Sequence, residues 1–390
     1  MLRIRLLTAA LAALALLLPA VTRPAEKQPF RYPAGEHQGA KLASVNGLPV
    51  LTVAGTPEEI GEQIAVLAGK PALRLFDYPK DAMREHGGEA FWPRMVTVGR
   101  RMLRNFPPEY LREMEAFGRA GNFDRDSLIA ANTMFDIYKV FACSSLIVDG
   151  ERTTTGGPLL GRNLDFPTLG YLHEYTLVTV YRPKGKHAWV SVGFPGIIGC
   201  ISGMNDQGLC VAVLEVYEAN DGSPRFDPAG VPYALCYRTL LEECATVDEA
   251  YNRLKAMKRT TMTNLAVCDR NGGAVFEVTP RTVVLRKPQE CLCLSTNHFV
   301  SAELAPPNPE NNFYTLDRYA TLAKANGVKK LGLADIQARL HAANLGDFTI
   351  QTMIFEPAVL KLHLAHGKCP ASAQPLKTLD LKPYFAKKCD

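Results

Sequence analysis

One cysteine, Cys143, stands where the character of the sequence changes. A helical pattern precedes it, and an apolar, strand-like run follows it at residues 144–148. A thiolate at such a junction can attack a carbonyl carbon and hold the acyl group as a thioester. A cysteine at the start of a buried strand is also a common core residue. Position alone leaves both interpretations open, a nucleophile and a structural thiol.

Local signatures of several other enzyme classes are missing from the sequence. It has no G-x-S-x-G elbow, no H-E-x-x-H and no C-x-x-C, and no G-x-G-x-x-G or G-K-[ST] loop that would hold a nucleotide. His363 and His366, followed by Cys369, offer metal-ligand types. In a strand, however, a spacing of three residues places the two imidazoles on opposite faces. We therefore expect neither a metal nor a cofactor.

The chain before Cys143 is mostly helical in pattern. Thr56, followed by Pro57 and by Glu59 three residues later, forms a capping box that predicts a helix from residue 57 to about 68. Asp124 is a typical cap for the last helix before the cysteine. A short strand is predicted at residues 48–53. We expect residues 21–142 to form an N-terminal helical segment, a candidate α chain or propeptide.

After Cys143 the sequence changes to short β-type runs separated by turn residues. Helical patterns open at Thr246 and cover residues 333–343, and a hairpin is predicted to turn at residues 356–358. Strands in runs, with helices in separate blocks, predict an α+β fold for residues 143–390, the candidate β chain. The strands are predicted at residues 144–148, 175–181, 188–193, 209–215, 263–268, 274–278, 283–286 and 291–295.

Residues 1–20 have the pattern of a secretory signal peptide. Arg3 and Arg5 precede an apolar run at residues 6–18, and small residues follow it. The run is shorter than the ~20 residues of a membrane-spanning helix. We expect a secreted or periplasmic protein with no stable membrane insertion after signal removal; an uncleaved N-terminal anchor is the alternative.

Composition narrows the classes further. The 390 residues are 47% hydrophobic and 21% charged, which excludes disorder, collagen or coiled coil as a description of the whole chain. The formal charge of +5 is spread without a basic block, so nucleic acid is not an expected partner. Ten cysteines are too few for a disulfide-stapled miniprotein. Cys369 and Cys389, in the loop-like tail, are the pair to test first for a disulfide.

Four motifs follow one another along the chain: Cys143 with GRNLDF at residues 161–166, SGMNDQGL at 202–209, STNHF at 295–299 and YTLDRY at 314–319. In this order they resemble the motifs of the Cys-type N-terminal nucleophile (Ntn) hydrolases. That group includes penicillin acyltransferase-like peptidases, choloylglycine hydrolases, acid ceramidase and N-acylethanolamine amidase. A helical segment before the cysteine and the C-terminal hairpin are most similar to the penicillin acyltransferase-like branch. The resemblance implies a four-layer αββα sandwich.

The resemblance also implies autocatalytic cleavage between Ala142 and Cys143. Cys143 would then be a new N-terminus, and its α-amine, with an ordinary pKa of ~7.7–8.0, would act as general base. The thiolate would attack an amide carbonyl and keep the acyl group until water or another amine takes it. The implied activity is that of an exported amidohydrolase or acyltransferase for a small-molecule, non-peptide N-acyl amide.

Roles for individual residues follow from the same resemblance. Arg162 would favour the thiolate, and Asp165 would orient the α-amine. The backbone N–H of Asn205 and the side-chain amide of Asn297 would donate to the oxyanion. Arg318 would brace the pocket or bind a polar substrate end. The structural alternatives are a surface Arg162–Asp165 ion pair, a turn role for Asn205 and a solvated Arg318.

Two other functions stay open at this stage. In a papain-like alternative, His298 is the base for Cys143 and the chain is not cut. In the other, the protein is a non-catalytic exported binding protein on the same fold. Candidate substrates of the enzyme include lipid amides and small acylated amino compounds. An apolar acyl pocket could be lined by Tyr171, Phe194, Ile197 and Ile198.

Overall fold

Two β-sheets organise the protein in a computed structural model that describes residues 29–85, 87–139 and 141–386. The signal-peptide prediction and Cys389 lie outside these residues. A compact unit begins at Tyr32 and contains every element below. The strands are β1 Gly35–His37, β2 Ala40–Val45, β3 Leu48–Gly55, β4 Ala142–Val148, β5 Leu159–Asp165, β6 Leu177–Pro183, β7 Trp189–Gly193, β8 Ser202–Asn205, β9 Cys210–Glu215, β10 Thr263–Asp269, β11 Gly272–Val278, β12 Val283–Arg286, β13 Leu292–Ser295, β14 Thr349–Glu356, β15 Lys361–His366 and β16 Lys377–Asp380.

The larger sheet has ten strands in the order β1-β2-β3-β6-β7-β8-β9-β10-β11-β12. The smaller sheet has six, in the order β13-β4-β5-β14-β15-β16. The helices are α1 Pro57–Ile64, α2 Tyr78–Glu85, α3 Trp92–Met102, α4 Pro108–Gly121, α5 Arg125–Ile137, α6 Tyr233–Glu243, α7 Val247–Lys255, α8 Thr315–Ala323, α9 Leu333–Ala342 and α10 Lys382–Phe385. Within the described ranges, none of the helices combines the length and apolarity needed to cross a bilayer.

Local capping signals define the helix starts as the sequence predicts. At α1, the Glu59 N–H donates to Thr56 Oγ1 at 3.3 Å, and Glu59 Oε2 accepts from the Thr56 N–H at 2.7 Å. At α5, Asp124 Oδ2 accepts from the Ser127 N–H at 2.9 Å. Each bond satisfies a backbone donor that the first helical turn leaves free. The capping box and the Asp124 cap are therefore confirmed.

The N-terminal segment is not only helical. Its strands β1, β2 and β3 extend the larger sheet, and β3 pairs in parallel with β6. Within β2 the buried Ala40 and Leu42 alternate with the exposed Lys41, which is the period of a half-buried strand. The description of residues 21–142 as a helical segment is therefore corrected: it also supplies three strands, two of which the sequence analysis missed.

The two sheets pack against each other, and helices cover their outer faces. On the outer face of the smaller sheet, Leu146 and Leu159 form a buried cluster with Ile336 and Leu340 of α9. On its inner face, Arg162 of β5 reaches backbone carbonyls of the larger sheet. Helix α6 lies over the outer face of the larger sheet, where the Leu241 carbonyl accepts from Asn205 Nδ2. The α+β fold with αββα layering is confirmed.

Candidate active site

Cys143 is the second residue of β4, and its side chain is fully buried between the sheets. Its Sγ lies 2.6 Å from Nη2 of Arg162. Strand pairing explains this contact. Arg162 on β5 lies directly opposite Ser145 on β4, which is two residues after Cys143 and on the same face of the strand. Burial raises the pKa of the Cys143 thiol to about 12, while the positive charge of Arg162 acts in the opposite direction. In the intact chain the thiol is therefore protonated at neutral pH.

Arg162 is held by the larger sheet. Its Nη1 donates to the Ile201 carbonyl at 3.1 Å and to Ser202 Oγ, and its Nη2 donates to the Val213 carbonyl at 3.2 Å. The side chain is fully buried. These acceptors fix the guanidinium beside the sulfur, so the structure replaces the surface ion-pair alternative with a buried cation at the thiol.

The backbone of Cys143 is bound by two further predicted residues. Its N–H donates to Asn297 Oδ1 at 3.0 Å, and its carbonyl accepts from Arg318 Nη1 at 2.6 Å. Arg318 Nη2 donates to the same Asn297 Oδ1 at 2.6 Å. Arg318 is only 4% exposed, which contradicts a solvated helix residue. Asn297 and Arg318 thus bind the N–H and the carbonyl of Cys143.

Asp165 ends β5, and its Cα is the pairing partner of Ala142. Its Oδ1 accepts from Thr349 Oγ1. Its Oδ2 lies 3.6 Å from Arg318 Nη1 and accepts no hydrogen bond from any residue in the described ranges. Burial raises the pKa of this carboxyl, although Arg318 counteracts the shift. Oδ2 of Asp165 therefore lies near Arg318 without a hydrogen-bond donor among the described residues.

Asn205 is the predicted site residue that the structure does not bring to Cys143. Its N–H donates to the Leu209 carbonyl at 2.9 Å. Its Oδ1 accepts from the N–H groups of Gln207 and Leu209, and its Nδ2 donates to Leu241 and Cys244. The prediction that its backbone N–H stabilises an oxyanion is wrong for this geometry, because that N–H closes the turn after β8. The alternative of plain turn chemistry describes Asn205 correctly.

Glu215 belongs to the site and was not among the sequence candidates. It is fully buried at the end of β9, and its backbone carbonyl accepts from Asn297 Nδ2 at 2.8 Å. Its Oε2 accepts from the Phe141 N–H at 3.3 Å. Burial raises its pKa well above the ordinary value. The available signal was an acidic residue that ends the otherwise apolar strand CVAVLE.

His298 has its own partners. Its Nδ1 lies 3.1 Å from Thr296 Oγ1 and 2.9 Å from Thr315 Oγ1. Burial lowers its pKa to about 4. The sulfur of Cys143 faces Arg162 instead, so this geometry does not support the papain-like alternative.

The residues expected to form one acyl pocket are separated. Ile198 packs in a buried cluster with Phe106 and Tyr110. Tyr171 lines a pocket of about 590 Å³ that also includes Arg74 and Asp81. A shared apolar pocket of Ile198 and Tyr171 is therefore wrong. Within the described part of the chain, no group of three or more His, Cys, Asp or Glu side chains is arranged to hold a metal ion.

Comparison with known proteins adds three relatives of low identity. An uncharacterized protein of Archaeoglobus fulgidus is 24% identical over 282 residues, with 62% of this chain and 45% of that protein covered. Protein dcd1A of Dictyostelium discoideum is 24% identical over 213 residues, with 50% and 46% covered. This chain thus spans just under half the length of these curated relatives. A variant of conjugated bile acid hydrolase from Clostridium perfringens has a TM-score of 0.48 at 14% identity, with 62% of this chain and 93% of that chain covered.

A family model supports the motifs directly. Residues 152–326 match the model described as acyl-coenzyme A:6-aminopenicillanic acid acyl-transferase. The matched range contains Arg162, Asp165, Asn297 and Arg318, and Cys143 lies nine residues before it. Residues 152–326 are therefore similar to the acyl-coenzyme A:6-aminopenicillanic acid acyl-transferase family, in agreement with the resemblance of the ordered motifs.

Proposed function

We propose that this chain is a self-processing Cys N-terminal nucleophile amidohydrolase or acyltransferase, which acts on a non-peptide N-acyl amide through a thioester on Cys143. The observation that carries the proposal is the double binding of Cys143. Its sulfur contacts a buried guanidinium, while its backbone nitrogen is held by Asn297 Oδ1. Such a frame positions a thiol and the nitrogen of the same residue together, which is the arrangement this chemistry needs.

Processing begins with an acyl shift from nitrogen to sulfur. The Cys143 sulfur attacks the Ala142 carbonyl carbon, an S–C bond forms, and the C–N bond to Cys143 breaks. The thiol proton is transferred to the leaving nitrogen, which becomes the α-amine. Water then hydrolyses the thioester and leaves a carboxylate on Ala142 and a free thiol on Cys143. Full burial of the sulfur supports this order, because an outside substrate has no access to it before cleavage.

Turnover repeats the same bond changes on a substrate. The α-amine takes the thiol proton, sulfur attacks the substrate carbonyl, and the protonated amine donates to the leaving amine. Water or a second amine then accepts the acyl group. Asp165 Oδ2, which lacks a hydrogen-bond donor among the described residues, is available to the new α-amine. The family description of the matched segment, an acyl-transferase, favours an amine as one of the acceptors.

Export belongs to the same proposal. The basic start and the short apolar run of residues 1–20 support a signal peptide and a secreted or periplasmic location. The partner is then a small-molecule N-acyl amide met outside the cytoplasm.

Intact mass and N-terminal sequencing of the purified protein test the processing step. Wild-type protein should give two chains, the larger covering residues 143–390, whereas Cys143→Ala should stay uncut. Cys268→Ala is the matched control, because Cys268 is equally buried in β10, and it should be cut like wild type. An uncut wild-type chain would overturn the proposal.

A further inference from the structure

The backbone just before Cys143 is bound like a ligand. The Phe141 N–H donates to Glu215 Oε2 at 3.3 Å, and its carbonyl accepts from the Tyr217 hydroxyl at 3.2 Å. Its ring contacts Phe135 and Phe166 edge-on, with 5.5 Å between ring centroids in each pair. Only 1% of Phe141 is exposed. Both polar backbone atoms and the ring therefore have dedicated partners.

These partners surround the acyl side of the bond that processing would break. In that reaction Ala142 supplies the reacting carbonyl, and Phe141 is the next residue of the departing acyl group. A later substrate must bring its own carbonyl to the same sulfur, beside the same Arg162. Its acyl group then enters the space that Phe141 and Ala142 occupied.

Residues 138–142, called the tail below, fill this space and would end freely after the proposed cut. Helix α5 ends at Ile137, so a cut after Ala142 frees five residues, at most ~17 Å of extended chain. Lys139 anchors this tail through hydrogen bonds from Nζ to the Val216 and Met262 carbonyls. Burial lowers the Lys139 pKa to about 8, which weakens that anchor above this pH.

We propose that the space around Phe141 is the acyl-side subsite of the mature enzyme. It takes an acyl group that carries an amide next to the reacting carbonyl unit and an aromatic ring beyond it, as in an N-acylated phenylalanyl-alanyl amide. The assignment rests on the proposed function, since it requires the cut before Cys143. It narrows the substrate from any N-acyl amide to one with a peptide-like, aromatic acyl part.

The polar atoms of the subsite give it this selectivity. The Tyr217 hydroxyl donates to an amide carbonyl, and the Glu215 carboxyl accepts from an amide N–H. A saturated fatty-acyl chain has neither group, so it would replace neither of these hydrogen bonds. An unpaired buried polar group costs about 1–3 kcal/mol, so discrimination of at least tenfold is expected. The rings of Phe135 and Phe166 add aromatic contacts that an alanine methyl lacks.

Coumarin amides provide the test on the purified wild-type protein. We compare acetyl-phenylalanyl-alanyl, acetyl-alanyl-alanyl and dodecanoyl amides of 7-amino-4-methylcoumarin by kcat/KM. The phenylalanyl substrate should exceed each of the others at least tenfold. Tyr217→Phe should lower its preference over the dodecanoyl amide at least fivefold. Tyr251→Phe is the matched control, because the Tyr251 hydroxyl also donates to a backbone carbonyl, that of Val283 at 3.3 Å, and it should keep the ratio.

The outcomes separate this inference from the proposed function. A cut protein that hydrolyses the dodecanoyl amide as well as, or better than, the phenylalanyl amide overturns the subsite and leaves the enzyme. Equal rates on the phenylalanyl and alanyl substrates overturn the role of the rings. A cut protein that turns over none of the three amides also overturns the subsite. An uncut chain without turnover overturns both proposals.

Discussion

Arg318 donates a hydrogen bond of 2.6 Å to the carbonyl of Cys143, so helix α8 is bound to the backbone of β4. The guanidinium is also oriented from behind, because its Nε donates to the Phe313 carbonyl at 2.9 Å. Phe313 and Tyr314 have φ values of 52° and 53°. This left-handed backbone costs roughly 1–2 kcal/mol for each residue with a Cβ. The strained turn before α8 keeps the Phe313 carbonyl on Arg318, so it contributes to the geometry of the site.

Replacing Arg318 by lysine should slow processing by a factor of about 10 to 100. Lysine keeps the charge but cannot bind the Cys143 carbonyl, Asn297 Oδ1 and the Phe313 carbonyl in one plane, and each unpaired acceptor costs about 1–3 kcal/mol. A time course of chain cleavage after refolding measures the rate. Arg119→Lys, at an exposed position of α4, is the control. Equal rates in both variants would show that Arg318 acts only as a charge.

The raised pKa of Glu215 predicts different effects of two substitutions. Burial raises this pKa well above its ordinary value, which favours the protonated carboxyl. Glu215→Gln should therefore change the free energy of unfolding by less than about 1 kcal/mol. Glu215→Ala leaves the Phe141 N–H without its acceptor and should cost about 1–3 kcal/mol. Urea unfolding in a Cys143→Ala background, where the chain is intact, provides the comparison. Similar losses in both variants would mean that Glu215 is ionised.

A buried ion-pair network should hold the two parts of the chain together. Arg238 of α6 donates to both oxygens of Glu113 of α4, at 2.9 and 2.6 Å, and to Glu242 at 2.7 Å. Arg238→Met leaves the Glu113 carboxyl buried without its partner and should lower the free energy of unfolding by about 3–5 kcal/mol. In the half-exposed pair Arg100–Asp126, Arg100→Met should cost less than about 1 kcal/mol. Denaturant unfolding of both variants decides this, and equal losses would contradict the network.

His298 should make stability fall in acid. Its pKa is lowered to about 4 in the folded protein by burial, against ~6.5 in the unfolded chain. Between these values the unfolded chain binds more protons, so the free energy of unfolding decreases as pH falls from 6.5 to 4, by up to about 3 kcal/mol.

The matched variant His298→Gln isolates this effect from other titrating groups. In the Cys143→Ala background, the free energy of unfolding of this variant should fall less between pH 6.5 and 4 than that of the protein with His298. In a Cys143-containing chain it should still be cut, since His298 bonds to Thr296 and Thr315. A His298→Gln protein that stays uncut would show that processing requires His298.

Local signals predicted the parts of this fold that depend on neighbours in sequence. Thr56 and Asp124 cap helices because their side chains meet N–H groups three residues later. Each predicted strand after Cys143 has a counterpart, and the hairpin of β14 and β15 turns where Pro357 stands. Such elements follow from capping and period-two patterns alone.

The errors in the predicted site concern the position of residues in the tertiary structure. Asn205 and Glu215 lie in the same pair of strands, β8 and β9, yet only Glu215 contacts the site, through Asn297. The family-like motif pointed to Asn205, whose bonds close a turn. Packing between distant segments decides which strand end lies near Cys143, and no local sequence pattern predicts that packing. Arg162, by contrast, was predicted correctly from its motif. The register of β4 and β5 places it beside the sulfur of Cys143.

The parallel pairing of β3 with β6 has a consequence for how the molecule is made. Once the bond before Cys143 is broken, the ten-stranded sheet contains strands from two separate polypeptides. Forming it again from denatured halves would be a second-order reaction that depends on protein concentration, whereas the uncut chain brings the same strands together within one molecule. Assembly of the sheet within one molecule is therefore available only to the uncut chain. A fully denatured protein in the proposed two-chain form would refold slowly, or not at all at high dilution.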